Sequence, residues 1–263
     1  MIDLHCHILP AFDDGAATLE DALMMAEVAA QDGITQLVAS PHLRDDEGYA
    51  RARLIPEAVT QLNGEIRQRG ISLEVLAGAE VHIREDLAQH WEAGELVTIG
   101  NRGKYLLVEP PFQNLPMCTA QVVFEFVARG VIPIIAHPER VLELQHDPNI
   151  LVELIERGAL SHITGSSLIG ALGPGAQRTA EVMLRHGLAH FIATDAHSWK
   201  ARPPVMGRAV EAAKKLLGEE KAQALVEEHP ARVLRGESVP SSPRRVESRK
   251  SLWQSLWGRK RGS

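Results

Sequence analysis

The first sixteen residues, MIDLHCHILPAFDDGA (residues 1–16), decide how the rest of the chain is interpreted. A short apolar run ends in two histidines, His5 and His7, and an acidic pair, Asp13 and Asp14, follows. In a β-strand, residues two positions apart point to the same side, so both imidazoles aim at one place. This geometry suits a metal ion. An isolated pair of this kind is more often two solvated or core histidines, so the other motifs have to decide.

Short apolar runs alternate with helical segments along the chain. The runs predict strands near residues 2–5, 35–39, 73–78, 105–109, 132–136, 161–164 and 190–194. Amphipathic segments predict helices near residues 18–32, 50–69, 119–130, 148–157, 176–187 and 205–217, and one or two closing helices over 219–235 with a break at Pro230. Five glycines follow predicted helices, as is typical of a helix C-terminus. The alternation predicts a parallel α/β fold, and about seven βα units favour a barrel over an open sheet.

Most of the predicted strands are followed by a histidine or a carboxylate. These residues are His5, His7, Asp14, His42, Glu80, Glu109, His137, Asp195 and His197. In α/β barrels and open α/β sheets, chemistry collects at the carboxyl ends of the strands. Imidazole and carboxylate together suit Zn, Mn or Fe rather than Ca. Nine ligands are too many for one ion, and they suffice for two or three ions if a carboxylate bridges.

Composition and charge argue against several classes of protein and of binding partner. The 263-residue chain has a net charge of −6, but residues 244–263 alone carry +6, so the preceding residues sum to −12. An acidic body argues against nucleic acid as a partner. Two cysteines are too few for a disulfide framework, and we find neither a signal peptide nor an apolar run long enough to span a membrane. We therefore expect a cytoplasmic protein.

The motifs together resemble those of the PHP (polymerase and histidinol phosphatase) superfamily. The sequence is most similar to bacterial PHP-type protein-tyrosine phosphatases of capsule and exopolysaccharide synthesis. The resemblance covers about residues 1–235 and rests on MIDLHCHILP (1–10), DDGA (13–16), SPH (40–42), GAEV (78–81), LLVEPP (106–111), IAHPER (135–140) and ATDAHSWKARPP (193–204). It implies a distorted (β/α)7 barrel of the PHP type, with a trinuclear metal site at the carboxyl ends of the strands.

The resemblance also implies how the ligands are shared among three divalent ions. The first ion takes His5, His7, Glu80 and Asp195; the second takes Glu80, Glu109 and His137; the third takes Asp14, His42 and His197. Glu80 bridges the first two ions. All these positions are filled in this chain. We expect manganese, with iron and zinc as the alternatives.

Three arginines are the predicted phosphate-binding residues. Arg140 and Arg202 each follow a ligand motif by a few residues, and Arg44 follows His42 by two. A guanidinium offers a planar fork to two phosphoryl oxygens and stays charged at working pH. Cysteine-phosphatase chemistry is excluded, because no arginine lies six residues after Cys6 or Cys118. We interpret Cys6 as a core residue that faces away from the metals.

The predicted function is metal-dependent hydrolysis of phosphotyrosine. The resemblance implies a tyrosine kinase of polysaccharide export as the substrate, and a homo-oligomer as one assembly state. Two alternatives stay open: a PHP phosphoesterase for a small metabolite such as histidinol phosphate, and a metal-stabilised scaffold without activity. His82 and His162 lie close enough to strand ends to support the ligands from behind.

The last residues differ in character from the rest. We predict a metallophosphatase domain over residues 1–236 and a polar linker with a basic tail over residues 237–263. Leucine and tryptophan recur at helical spacing within residues 252–257, between basic residues. This pattern predicts an interfacial helix over residues 244–263, which would hold the protein against the anionic inner face of the membrane. A disordered end and an arm for a protein partner are the alternatives.

Overall fold

All paired strands run parallel in the computed structural model, which describes residues 1–44 and 46–247. The described strands are β1 (Ile2–Cys6), β2 (Gln36–Ala39), β3 (His42–Leu43), β4 (Glu74–Ala77), β5 (Glu80–His82), β6 (Tyr105–Glu109), β7 (Ile132–Ala136), β8 (Leu160–Thr164) and β9 (Phe191–Ala193). They form a sheet in the order β1-β2-β4 and a second sheet in the order β3-β5-β6-β7-β8-β9. The predicted α/β fold with parallel strands is therefore confirmed.

Helices connect the strands except between β2 and β3 and between β4 and β5. Their bounds are α1 (Leu19–Gln31), α2 (Asp46–Ala52), α3 (Ile55–Gln68), α4 (Leu87–Glu92), α5 (Thr119–Ala128), α6 (Leu142–His146), α7 (Asn149–Glu156), α8 (Gly165–Leu168), α9 (Pro174–Arg185), α10 (Gly207–Leu217), α11 (Glu219–Ala224) and α12 (Glu228–Arg235). Short 3-10 turns cover Ile99–Asn101 and Pro138–Arg140. No helix among the residues described here is long and apolar enough to cross a membrane.

The two sheets meet at two junctions, one linked by hydrogen bonds and the other by the continuing chain. At one junction the backbone N–H of Asp195 donates to His5 O at 2.9 Å, and that of His7 donates to Ala196 O at 2.8 Å, so the end of β9 reaches β1. At the other, β2 continues into β3 and β4 into β5 after two-residue interruptions. A side chain at Gly78, inside one interruption, would lie 2.6 Å from Val38. The described parallel strands are therefore divided over two sheets that meet at two junctions, and they do not form one continuous closed barrel.

The core lies on both sides of the strands. A large cluster packs between the strands and the surrounding helices. A smaller cluster brings together Leu4 of β1, Leu107 of β6, Ile134 of β7 and Phe191 of β9. Side chains from both sheets meet in this way only on their common inner side. The smaller cluster therefore fills the interior of the fold and leaves the carboxyl ends of the strands for polar side chains.

Two helix predictions differ from the structure. The segment 50–69 was predicted as one helix, but α2 ends at Ala52 and α3 begins at Ile55. Pro56 lies in the first turn of α3, where a missing N–H costs nothing, so proline starts a new helix here. Pro230 does not mark the break in the closing helices, because it lies in the first turn of α12 for the same reason.

Residues 237–247 form a strap that contains neither helix nor strand and lies against the body. The Tyr105 hydroxyl donates to Glu237 O, and Ser241 Oγ lies 2.8 Å from His190 Nε2. Val246 exchanges two hydrogen bonds with the Asn149 side chain, at 2.8 and 3.1 Å. Residues 244–247, the first four of the predicted interfacial helix, are therefore not helical; residues 248–263 lie outside the described residues.

Candidate metal centre

The two histidines of the opening motif are buried side by side at the end of β1. Both side chains are fully buried, and their Nε2 atoms lie 3.0 Å apart. The intervening Cys6 packs into the outer core, as predicted. A tight turn brings the chain back to this point, because Ala16 N–H donates to His7 O at 3.0 Å. A side chain at Gly15 would collide with His7, so glycine is required there.

Glu80, the first residue of β5, lies at the centre of the cluster. One of its oxygens, Oε2, is 3.3 Å from His5 Nε2 and 2.9 Å from His42 Nδ1. The other, Oε1, is 3.2 Å from His137 Nε2. Strand register explains this position, since β3 pairs His42 directly with Glu80. A single carboxylate thus faces histidines from three different strand ends.

The structure brings all nine predicted ligand side chains together. Donor atoms come within 4.8 Å of one another in the groups His7–Asp14–His42–His197, His5–His7–Glu80, His5–His137–Asp195, Glu80–Glu109–His137 and His42–His82–Glu109. Glu80 belongs to two of these groups, as expected of a bridging carboxylate. His7 also joins the group of Asp14, His42 and His197. The family resemblance places His7 with the first ion and only the other three residues with the third ion.

The donor set fits divalent cations. Glu80 is fully buried, and although histidine nitrogens lie 2.9–3.3 Å from its oxygens, neither oxygen accepts a hydrogen bond of good geometry. The buried atoms His42 Nδ1, Glu109 Oε2 and His137 Nδ1 also lack a hydrogen bond of good geometry. A buried carboxylate without well-formed hydrogen bonds is costly unless a cation compensates it. Imidazole and carboxylate donors suit Mn, Fe or Zn, so the residues present fit the predicted ions.

The charges of the cluster perturb one another strongly. Burial alone would raise the pKa of Glu80 and of Asp195, but the surrounding histidines, His5 first, hold both pKa values well below their usual range. Burial alone would lower the pKa of His7, but hydrogen bonds with Asp13 and Asp195 raise it to about 10. The carboxylates therefore stay ionised and attract positive charge, whether from a proton or from a metal ion.

Two arginines reach the cluster through one shared atom. Arg140 Nη1 and Arg202 Nη2 each donate to Asp195 Oδ2 at 2.6 Å. Arg202 Nη2 also donates to the backbone oxygen of Asp195 at 2.9 Å. The predicted third arginine, Arg44, contacts a different member of the cluster, with Nη2 2.5 Å from His42 Nε2. Arg140 and Arg202 thus form a pair at the edge of the cluster, and Arg44 stands apart from them.

The cluster opens to solvent on the side of Asp14. The Asp14 side chain is 59% exposed, whereas those of His42 and His197 are nearly buried. A cavity of about 300 Å³ adjoins this side and includes Phe12, Arg44 and Arg51 in its lining. The cluster is therefore accessible to solvent past Asp14, and the cationic side chains of Arg44 and Arg51 line this opening.

Two candidate ligands have backbone conformations that are rare for side chains other than glycine. His137, with φ 33°, immediately follows β7, and Asp195, with φ 51°, lies two residues beyond the end of β9. Such left-handed conformations cost about 1–3 kcal/mol each and persist where the surrounding structure enforces them. The strain at both residues turns their side chains into the cluster directly after β7 and β9.

Three residues behind the ligands complete the site. Asp13 accepts a hydrogen bond from His42 N–H at 2.9 Å, and its Oδ2 lies 2.6 Å from His7 Nδ1. His162 Nε2 lies 2.9 Å from His5 Nδ1, and His82 Nε2 lies 2.8 Å from Glu109 Oε2. The sequence indicated His82 and His162 only by their position at strand ends. It gave Asp13 no role, although its place beside Asp14 was a signal.

Comparison with known proteins identifies the family. Residues 1–235 match the profile of a family described as capsular polysaccharide synthesis, CpsB/CapC. This chain belongs to the CpsB/CapC family. It is 35% identical to the tyrosine-protein phosphatase YwqE of Bacillus subtilis, over 96% of this chain and 99% of YwqE. It is also 35% identical to the putative tyrosine-protein phosphatase CapC of Staphylococcus aureus, over 93% and 92% of the two chains.

A solved CpsB/CapC structure shows the same fold. The crystal structure of B. subtilis YwqE, reported with CpsB from Streptococcus pneumoniae as unique metal-dependent tyrosine phosphatases, has a TM-score of 0.89 to this chain. The two are 35% identical over 94% of this chain and 100% of the other. The PHP-type resemblance inferred from the motifs is therefore confirmed at the level of the family and the fold.

Proposed function

We propose that this chain is a metal-dependent protein-tyrosine phosphatase. One observation carries the proposal: the guanidinium groups of Arg140 and Arg202 converge on Asp195, a member of the buried histidine–carboxylate cluster. The arrangement provides cationic donors for phosphoryl oxygens beside ligands for metal ions. Its family relatives carry the name tyrosine-protein phosphatase.

The nine clustered residues would hold the ions, with Glu80 as the bridge. We propose three divalent ions, with manganese preferred and iron or zinc as alternatives. When bound, such ions lower the pKa of a coordinated water and withdraw negative charge from a phosphoryl group. Asp13 and His162 act from behind, since each contacts the Nδ1 atom of a ligand histidine and leaves its Nε2 atom facing the cluster.

The arginines would bind the phosphate. Arg140 and Arg202 both donate to Asp195 Oδ2. These hydrogen bonds fix the orientation of the two guanidinium groups before substrate binds. Their remaining N–H groups are free to hold equatorial phosphoryl oxygens and to stabilise the charge that develops there. Arg44, at the cavity beside Asp14, would attract the substrate dianion or bind residues that flank the phosphotyrosine.

For the substrate protein we propose a tyrosine kinase of polysaccharide export, because the family is one of capsular polysaccharide synthesis. A homo-oligomer is compatible with this role. We also propose that the protein acts in the cytoplasm, at the inner face of the membrane. The basic residues of the predicted tail over residues 244–263 support this location, since basic side chains are attracted to an anionic membrane surface.

A substrate panel with metal control tests the proposed function. The protein is stripped with a chelator, reloaded with Mn, Fe or Zn, and assayed on a phosphotyrosine peptide, a phosphoserine peptide and histidinol phosphate. The proposal predicts activity that disappears with the metal and is highest on phosphotyrosine. Preference for histidinol phosphate would indicate a metabolite phosphoesterase instead. Absence of any turnover in the reloaded protein would indicate a scaffold.

Vesicle binding tests the proposed location. The full chain is compared with a chain that ends at Glu247, which keeps the strap contacts of Ser241 and Val246. We expect salt-sensitive co-sedimentation of the full chain with anionic vesicles and none of the shorter chain. Turnover of a soluble peptide should be equal for both. Equal, negligible binding at low salt would end the membrane proposal and would leave a disordered end or a protein-binding arm.

A further inference from the structure

Phe112 is an exposed aromatic residue beside the catalytic cluster. It follows Glu109, the last residue of β6, by only two prolines. Its side chain is 45% exposed, which is unusual for a phenyl ring in a fold whose other large apolar side chains are mostly buried. The sequence motifs do not assign it a role, and it is neither a ligand nor a charged group.

The backbone holds Phe112 in a fixed place. Pro110 and Pro111 restrict the chain before it, because proline locks φ. Leu142 N–H donates to Phe112 O at 2.8 Å, and Glu143 N–H donates to Gln113 O at 3.1 Å. These bonds tie the segment after β6 to the segment that follows Arg140. The phenyl ring is therefore presented by a rigid support.

The ring contacts both kinds of functional residue. Its centroid lies 5.6 Å from that of the candidate ligand His137, and the Arg140 guanidinium carbon lies 4.5 Å from it, over the ring. The same guanidinium donates to Asp195 through Nη1. Arg140 thus packs on the phenyl ring while it points its donors at the cluster. The Arg140 side chain is 19% exposed, compared with 35% for Arg202.

We propose that Phe112 is a specificity-determining residue whose exposed surface receives the aromatic ring of phosphotyrosine. This inference rests on the proposed function. A phosphate bound by Arg140 carries its ester substituent close to a ring whose centre is 4.5 Å from that guanidinium. An aryl substituent reaches the ring and packs against it, whereas the methylene group of phosphoserine presents too little surface. Aromatic pairs prefer centroid separations of about 4.5–7 Å, which this position allows.

Inhibitor binding tests this without requiring turnover. Phenylphosphonate and methylphosphonate share the phosphonate group and differ in the aryl ring. For Phe112→Ala we expect Ki for phenylphosphonate to rise roughly three- to tenfold and Ki for methylphosphonate to stay unchanged, as an aromatic pair is worth about 0.5–1.5 kcal/mol. Phe112→Tyr should retain the wild-type ratio of the two constants, and Phe112→Leu should give an intermediate one.

The matched control is Phe124→Ala, which removes a phenyl ring that is 64% exposed on α5, away from the cluster. It should change neither constant. An equal rise of both constants in Phe112→Ala would mean that the ring only positions Arg140 and would overturn the inference. Unchanged constants would overturn it too. If the wild-type enzyme hydrolyses no phosphotyrosine in the substrate panel, the proposed function fails instead, and that result is distinct from either outcome here.

Discussion

The carboxylate of Asp13 lies 2.6 Å from Nδ1 of His7, and this contact directs Nε2 of the same ring toward Glu80 and Asp195. Asp13 is itself held by the backbone N–H groups of Gly15 and His42, both at 2.9 Å. A carboxylate behind a ligand histidine fixes its tautomer and makes the ring a stronger donor.

Asp13→Asn should weaken metal binding while the fold is preserved. The amide is close in shape to the carboxylate but lacks its charge, so His7 loses basicity and a fixed orientation. We expect a loss of roughly 10- to 100-fold in metal affinity, measured by calorimetry on the stripped protein. Asp86→Asn, at a partly exposed carboxylate that pairs with Arg84 and is not a candidate ligand, is the control and should bind metal normally. Wild-type affinity in Asp13→Asn would contradict the positioning role.

Glu80→Gln should remove activity and reduce the number of bound ions. One carboxylate at the centre of the cluster faces four histidines, so its loss affects more than one ion at once. Metal content is measured by elemental analysis after gel filtration. Glu139→Gln is a matched control for metal content, because Glu139 is equally buried but bonds to Thr164 and Ser167 instead. Full loading and near-normal turnover of Glu80→Gln would refute its assignment as the bridge.

Arg140→Ala and Arg202→Ala should each lower kcat without loss of metal. A lost transition-state contact of this kind costs about 10²–10³ in rate. Because both guanidinium groups bond to the same oxygen of Asp195, we expect the double variant to fall by less than the product of the two single effects. Lysine at either position should not restore the rate, since the bidentate fork is missing. Wild-type kinetics in both alanine variants would make these arginines structural.

We expect the buried imidazole of His190 to lower the folding stability of the protein in mild acid. Burial, with a contribution from His229, lowers the pKa of His190 from 6.5 to about 4. Between these values the unfolded chain binds a proton that the folded protein does not, so folding stability decreases as pH drops. From pH 7 to pH 5 the contribution is about 2 kcal/mol.

Urea unfolding of His190→Asn at both pH values measures that contribution. The variant should lose about 2 kcal/mol less than the wild type over this range. The exposed His146 provides the control, and His146→Asn should follow the wild type. The same pH dependence in all three proteins would show that His190 does not contribute. Ser241 of the strap bonds to this histidine, so the result also reports on the strap.

Part of this protein could be predicted from local sequence. The seven predicted strands are all present, because buried apolar runs between glycine-ended helices have few alternative structures. Thr18 caps α1 by accepting from Asp21 N–H at 3.1 Å, a contact that depends only on local spacing. The nine candidate ligands could be found because parallel strands place their carboxyl ends on one side of the fold. Each of these inferences needs only a few neighbouring residues.

Only the tertiary structure decided which of these groups touch. Asp195 accepts from both Arg140 and Arg202, and Phe112 packs on Arg140, through contacts that depend on where β6, β7 and β9 lie beside one another. Asp13 could equally have been a ligand or a solvated loop residue until the turn at Gly15 placed it against His7. Sequence periodicity determines which way a side chain faces along its own element. Distances between elements follow from strand register and packing, and those are properties of the whole fold.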